Sequence, residues 1–199
     1  MQRLLYVSRR IDGLNQRVGN SILWLILLAV LISAGNALVR KVFQVSSNAL
    51  LEVQWYLFSA VFLLGAGYAL LKNAHVRIDF FSSRLSRRTV HWIEIVGILV
   101  FLLPLCVMLI DLSWPLVWNA WVNGEMSQNA GGLIRWPVYL LLPVGLVLLF
   151  LQGISELIKR AAYLQGVLVA PDEESEYGEG STTENEISTH ALTAAKDIR

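Results

Sequence analysis

The sequence predicts an all-α integral membrane protein: four transmembrane helices, an N-terminal amphipathic interfacial helix before them, and a disordered acidic C-terminal tail after them. Three observations carry this. The 199 residues are 55% hydrophobic and 16% charged, and the apolar residues come in long blocks rather than at the alternating periods of a soluble domain. Four blocks approach the length needed to cross a hydrocarbon core about 30 Å thick at about 1.5 Å per helical residue. The charges are sorted along the chain. From Asp172 onward there are eight acidic residues against Lys196 and Arg199, so the formal net charge of +1 hides a basic body. That excess flanks apolar spans, which suits anionic phospholipid head groups and not nucleic acid.

Residues 1–18 place Leu4, Val7, Ile11, Leu14 and Val18 at helical spacing, with Arg3, Arg10 and Arg17 on a neighbouring stripe. This is the pattern of a helix lying in the membrane interface. A basic region reaching Arg17 is long for a secretory signal, and three more spans follow the first, so this start is read as an uncleaved anchor. The four-helix membrane domain covers 19–166, with spans at about 21–39, 49–71, 89–111 and 136–155, and 167–199 forms the tail.

The first span ends at Arg40 and Lys41. The second rises from Glu52 at one boundary and leaves through a basic loop that carries Lys72, His75, Arg77 and Asp79. Its exit half is small: Gly65 and Ala69 stand four apart beside Ala66, which lets a neighbouring helix approach closely. The ordinary reading of that stripe is packing within this chain. The third span holds Pro104, which should bend it, and is expected to end at Asp111. A charge at the bilayer centre would cost about 2.5–3.5 kcal/mol on insertion scales, and an edge position costs much less. Beyond it Trp114, Trp118 and Trp121 share a face if the helix continues, as an aromatic belt does. A turn-rich loop with Asn123, Gly124, Asn129, Gly131 and Gly132 precedes the last span, which opens on Trp136 and Pro137. The tail is rich in Glu, Ser, Thr and Gly and has too little apolar surface to offset its ordering entropy.

Basic residues set the orientation. Arg3, Arg9, Arg10, Arg17, the loop Lys72–Arg88, Lys159 and Arg160 fall on one side, and only Arg40, Lys41 and Arg135 on the other. The first side, with both termini, should be cytoplasmic.

Chemistry is hard to place in such a chain. Cys106 is the only cysteine, which excludes an internal dithiol or disulfide. His75 and His91 lie at the ends of the cytoplasmic loop and His190 in the tail, so none is well placed in a span, where haem would require facing axial ligands at bundle depth. No phosphate loop, hydrolase elbow or zinc-protease helix motif occurs. Autonomous carriers usually show repeats and broken helices at the midplane, and neither is evident here. Three classes stay open on the residues alone: a non-catalytic membrane subunit, a redox or haem-anchor subunit, and a stand-alone small carrier.

Several short motifs narrow this. Glu52, Leu64-Gly65-Ala66 with Tyr68, and His75-Val76-Arg77-Ile78-Asp79 resemble the characteristic run of the small, Q-type membrane subunit of tripartite ATP-independent periplasmic (TRAP) transporters. Leu133, Trp136-Pro137, Tyr139 and Pro143-Val144-Gly145 are similar to that family's entry into its last span. The resemblance covers roughly 17–166 and leaves out the tail. It implies a bacterial inner-membrane complex in which this chain binds a large multi-span permease subunit and a periplasmic binding protein delivers an organic acid. It also implies that sodium and substrate bind the large subunit, with no cofactor in this chain. On that reading Glu52, Gln54, Trp55, Gly65, Ala66 and Ala69 are interface candidates toward the large subunit. His75, Arg77, Asp79, Trp114, Trp118, Trp121 and Trp136 are candidate membrane-interface anchors.

Overall fold

The computed structural model describes residues 2–44, 47–73 and 86–166. The anchors His75, Arg77 and Asp79 and the acidic tail lie outside the described residues. Among those described there is no strand, only an isolated bridge between Met126 and Ile134. The helices are α1 (Gln2–Phe43), α2 (Asn48–Leu71), α3 (Arg87–Gly97), α4 (Leu103–Val122) and α5 (Trp136–Leu164), with a π-helical turn, Ile98–Leu102, joining α3 to α4. Four stretches are long and apolar enough to cross a membrane, the third being α3 and α4 together. The chain divides into two compact units, Met1–Ile158 and Lys159–Arg199. The described part of the second is the end of α5, which closes at Gly166 with a φ of 70°.

Helix α1 differs from expectation in continuity. The interfacial segment and the first span form one unbroken helix of 42 residues, about 63 Å long. Nothing in the sequence between Gln2 and Phe43 is a proline, and Gly19 at the junction is held against the ring of Tyr68. The apolar stripe of residues 2–18 does not face the bundle. Leu4, Val7 and Leu14 are exposed while Ser8, Asn15 and Gly19 are buried.

Small residues bring the backbones together. Gly145 of α5 sits on the Leu63 backbone of α2, where an added Cβ would stand 2.7 Å from the Leu63 carbonyl carbon. Gly67 of α2 lies where three helices meet, and a Cβ there would be 3.1 Å from Asn15 Cγ and 3.2 Å from the Leu148 oxygen. Gly65 faces Ile22 of α1. The pairs 15/67, 19/68 and 22/65 make α1 antiparallel to α2, and 63/145 with 67/148 make α2 parallel to α5. The small stripe of the second span is therefore used inside this chain.

Helix α3 starts on Ser86, whose Oγ accepts the Thr89 amide at 3.3 Å, a cap that satisfies one otherwise unpaired donor. The bend expected at Pro104 is taken up just before it. In the π turn the Leu103 amide reaches back to the Ile98 carbonyl, and the widened turn relieves the clash and missing N–H that proline brings. This turn packs on Gly153, with Leu102 and Leu103 Cδ2 each 3.1 Å from a Cβ built there.

The helix that carries the third span does not end at Asp111. Helix α4 runs on to Val122 and stops only at Asn123 and Gly124, the latter with a φ of 57°. Leu103 lies beside Gly153, and the rings of Trp121 and Trp136 meet edge to face with centroids 4.7 Å apart. Between those marks Asp111 is about 12 Å along the helix from Leu103 and about 15 Å from Trp121. It faces outward at about the middle of the bundle. In sequence the tryptophan row beyond it has the pattern of an aromatic belt, which puts Asp111 at an edge. Trp121 and Trp136 share one level, and Trp118 and Trp114 lie about one and two turns deeper.

Two glycines test this packing. Gly145→Ala should destabilise the purified chain by about 1–3 kcal/mol, as overpacking against backbone does. Gly35→Ala, in a position with open space around it, should leave the melting temperature unchanged or raised. Thermal unfolding of both variants in one detergent checks the pair.

Candidate functional site

Two polar constellations stand out, one at each end of the bundle. At the end formed by the start of α2, the spacing Asn48, Glu52, Tyr56 puts one donor or acceptor on each successive turn of a single helix face. All three are spent on the loop between α4 and α5. Asn48 Nδ2 donates to the Ala130 carbonyl at 3.2 Å, and the Tyr56 hydroxyl donates to the Ile134 carbonyl at 3.1 Å. Glu52 takes three bonds: the Ser127 hydroxyl and the Asn129 amide, at 2.7 Å, donate to Oε1, and the Leu133 amide donates to Oε2 at 2.6 Å. Bonds from neutral donors to a carboxylate are stronger than neutral pairs. They hold a loop whose own ladder is short, with Ser127 N–H on the Leu133 carbonyl and Arg135 N–H on the Glu125 carbonyl, both at 2.9 Å.

Arg135 closes this end. Its guanidinium stands 3.1 Å from Glu125 Oε1, and that carboxylate raises its pKa further above the ordinary arginine value. Below the loop is a cleft of about 670 Å³ lined by Leu51, Glu52, Trp55, Tyr56, Arg135 and Tyr139. Trp55 is 74% exposed at its edge, while Gln54 is half-buried.

The second constellation lies at the other end, and no sequence argument above identified it. Ser8, Asp12 and Asn15 form one stripe of α1 and Gln152, Ser155 and Glu156 one stripe of α5. Ser8, Asn15, Gln152, Ser155 and Glu156 are all within 1% of full burial. Gln152 is the hub: its Oε1 accepts from Asn15 Nδ2 at 2.9 Å, and its Nε2 donates to Asp12 Oδ1 at 2.9 Å and to Glu156 Oε1 at 3.1 Å. Ser155 Oγ lies 2.7 Å from both Asp12 Oδ1 and Ser8 Oγ. The signal available in the sequence was the matching i, i+4, i+7 and i, i+3, i+4 spacing of short polar residues on two otherwise apolar helices.

Of the interface candidates, then, Glu52 is engaged by its own loop, Gly65 packs on α1, and Gln54, Ala66 and Ala69 are half-buried. Trp55 remains open. Among the described residues no group of three or more His, Cys, Asp and Glu is placed to hold a metal. Cys106 is buried in α4, and His91 Nδ1 stands 3.5 Å from Glu94 one turn away. Each constellation fastens one segment of the chain to another through side-chain hydrogen bonds.

A family model described as Tripartite ATP-independent periplasmic transporters, DctQ component, matches residues 18–162. No curated protein and no solved structure matches the chain significantly.

The two fasteners predict different losses. Glu52→Ala should speed hydrogen exchange of the Leu133 amide and its loop neighbours while amides of α1 keep their rates. Gln152→Leu leaves buried partners unsatisfied and should cost about 2 kcal/mol of unfolding stability. The double variant with Asn15→Leu should recover part of that loss, because removing both partners costs less than orphaning one.

Proposed function

The chain belongs to the DctQ component family of the tripartite ATP-independent periplasmic transporters, and from that premise we propose that it is a non-catalytic scaffold subunit of a sodium-coupled, binding-protein-dependent transporter for organic acids. It anchors the large permease subunit in the inner membrane, with both termini in the cytoplasm. The large subunit supplies the sodium and substrate sites and the moving parts, and a periplasmic protein supplies the substrate.

The observation that supports the scaffold role is where the polar groups are. A chain that carried solute alone would need polar groups facing an internal path at mid-depth. Here most of the buried polar side chains gather at the Gln152 end, and Ser113, the buried polar side chain near Asp111, is spent on the Ile110 carbonyl of its own helix. The clusters tie α1 to α5 and α2 to the loop, which is what a fixed scaffold needs. Orientation is supported by the excess of Lys and Arg on the side of residues 3–17, 72–88 and 159–160. That side is the Gln152 end, so the Glu52 clamp and its cleft face the periplasm. No particular observation favours a haem anchor or a stand-alone carrier.

Proteoliposomes give the test. Uptake of an organic acid should require the large subunit, the binding protein, this chain and an inward sodium gradient, and omitting this chain should abolish it. Uptake driven by this chain alone would overturn the scaffold reading, and a Soret band in the purified chain would replace it with the haem anchor.

A further inference from the structure

Among the described residues one acidic side chain has no partner where it can least stand alone. Asp111 points outward from α4 at about the middle depth of the bundle, and among the described residues nothing bonds to its carboxylate. The backbone beneath it is short of a donor too. Pro115 lies inside the helix and has no N–H to give the Asp111 carbonyl four residues earlier. In the same turn the Ile110 carbonyl does find an extra donor, the Ser113 hydroxyl at 3.0 Å. The exposed carboxylate and the Asp111 carbonyl are thus two acceptors on one residue, and hydrocarbon can satisfy neither. Around them Val107, Met108, Leu112, Trp114 and Trp118 are each more than half exposed, an apolar frame about a single charge.

A second copy of this chain cannot answer that charge. The sequence has no Lys or Arg in 18–39, 53–71, 89–134 or 136–158, so none of its spans offers a cation at this depth. The complement must come from a different membrane protein.

Resting on the subunit reading above, we propose that the Asp111 face of α4 is a docking surface for a membrane helix of the large permease subunit, which brings a lysine or arginine side chain to Asp111. An arginine fork would satisfy both the carboxylate and the free carbonyl, and the apolar frame would exclude water and lipid from the pair. Asp111 positions the partner and takes no part in moving cargo.

Co-purification of the full chain with the co-expressed large subunit tests this, with a photo-crosslinking residue at Met108. The wild-type chain should retain the large subunit and crosslink to it. Asp111→Asn and Asp111→Leu should lower the retained large subunit by about tenfold or more, as loss of one member of a buried charge pair does, and Asp111→Glu should keep it. Melting of the isolated Asp111→Leu chain should be unchanged or higher, which separates lost docking from lost folding. Full retention by both Asp111→Asn and Asp111→Leu would overturn the docking surface and leave the subunit reading intact, as would a Met108 crosslink only to lipid or to a second copy. A wild-type chain that never retains the large subunit would overturn the subunit reading and this inference with it.

Discussion

Inside a bilayer the apolar surface of a helix gains nothing by leaving lipid for another helix, so leucine burial cannot hold this bundle together. The contacts that can are close backbone approaches and hydrogen bonds between helices. Gln152 supplies the second kind at one end, joining Asn15 and Asp12 of α1 to its own helix. Gly67 supplies the first kind alongside, where only hydrogen leaves room for Asn15 and the Leu148 carbonyl. The otherwise unpaired Oδ1 of Asn15 faces that glycine, so the polar seam and the close approach are parts of one junction. The 42-residue length of α1 follows from it: the helix must extend past the span to bring Ser8 and Asp12 beside Ser155.

The other end is fastened differently because its partner is a loop. A helix face can meet a loop with side chains of fixed spacing, and Asn48, Glu52 and Tyr56 do so turn by turn. Fastening at both ends leaves the middle to small and apolar contacts such as Gly145 on Leu63. Along the third membrane-length stretch a π turn, Pro104, an outward carboxylate and Pro115 follow one another.

Much of the fold was legible in the sequence, since span length and charge placement are read directly from composition. The helix starts near Ala49 and Trp136, and the use of Gly65 for close packing, follow from that reading. The continuation of α4 past Asp111 does not. An acidic residue and a tryptophan row look the same at a membrane surface and on a helix that continues past them, and only the Trp121–Trp136 contact fixes the depth. The polar seam was missed for a related reason. Ser8, Asp12 and Asn15 look like the wet side of an interfacial helix until Gln152 and Ser155 are known to lie opposite. The match of residues 18–162 to the family agrees with the motif resemblance, but the motif residues of the clamp are engaged within the chain. Pairwise spacing identified faces, and only three-dimensional contact identified what each face meets.

A body fastened at both ends should keep its shape while its partner moves, and this is the central claim. The direct measurement places spin labels at Phe62 and Phe101, both more than 70% exposed, in an otherwise cysteine-free chain carrying Cys106→Ala within the assembled transporter. Distances are then recorded with and without sodium and with substrate. The account predicts one distance distribution, the same in all three states. A second population, or a shift between states beyond the spread of the labels, would contradict it.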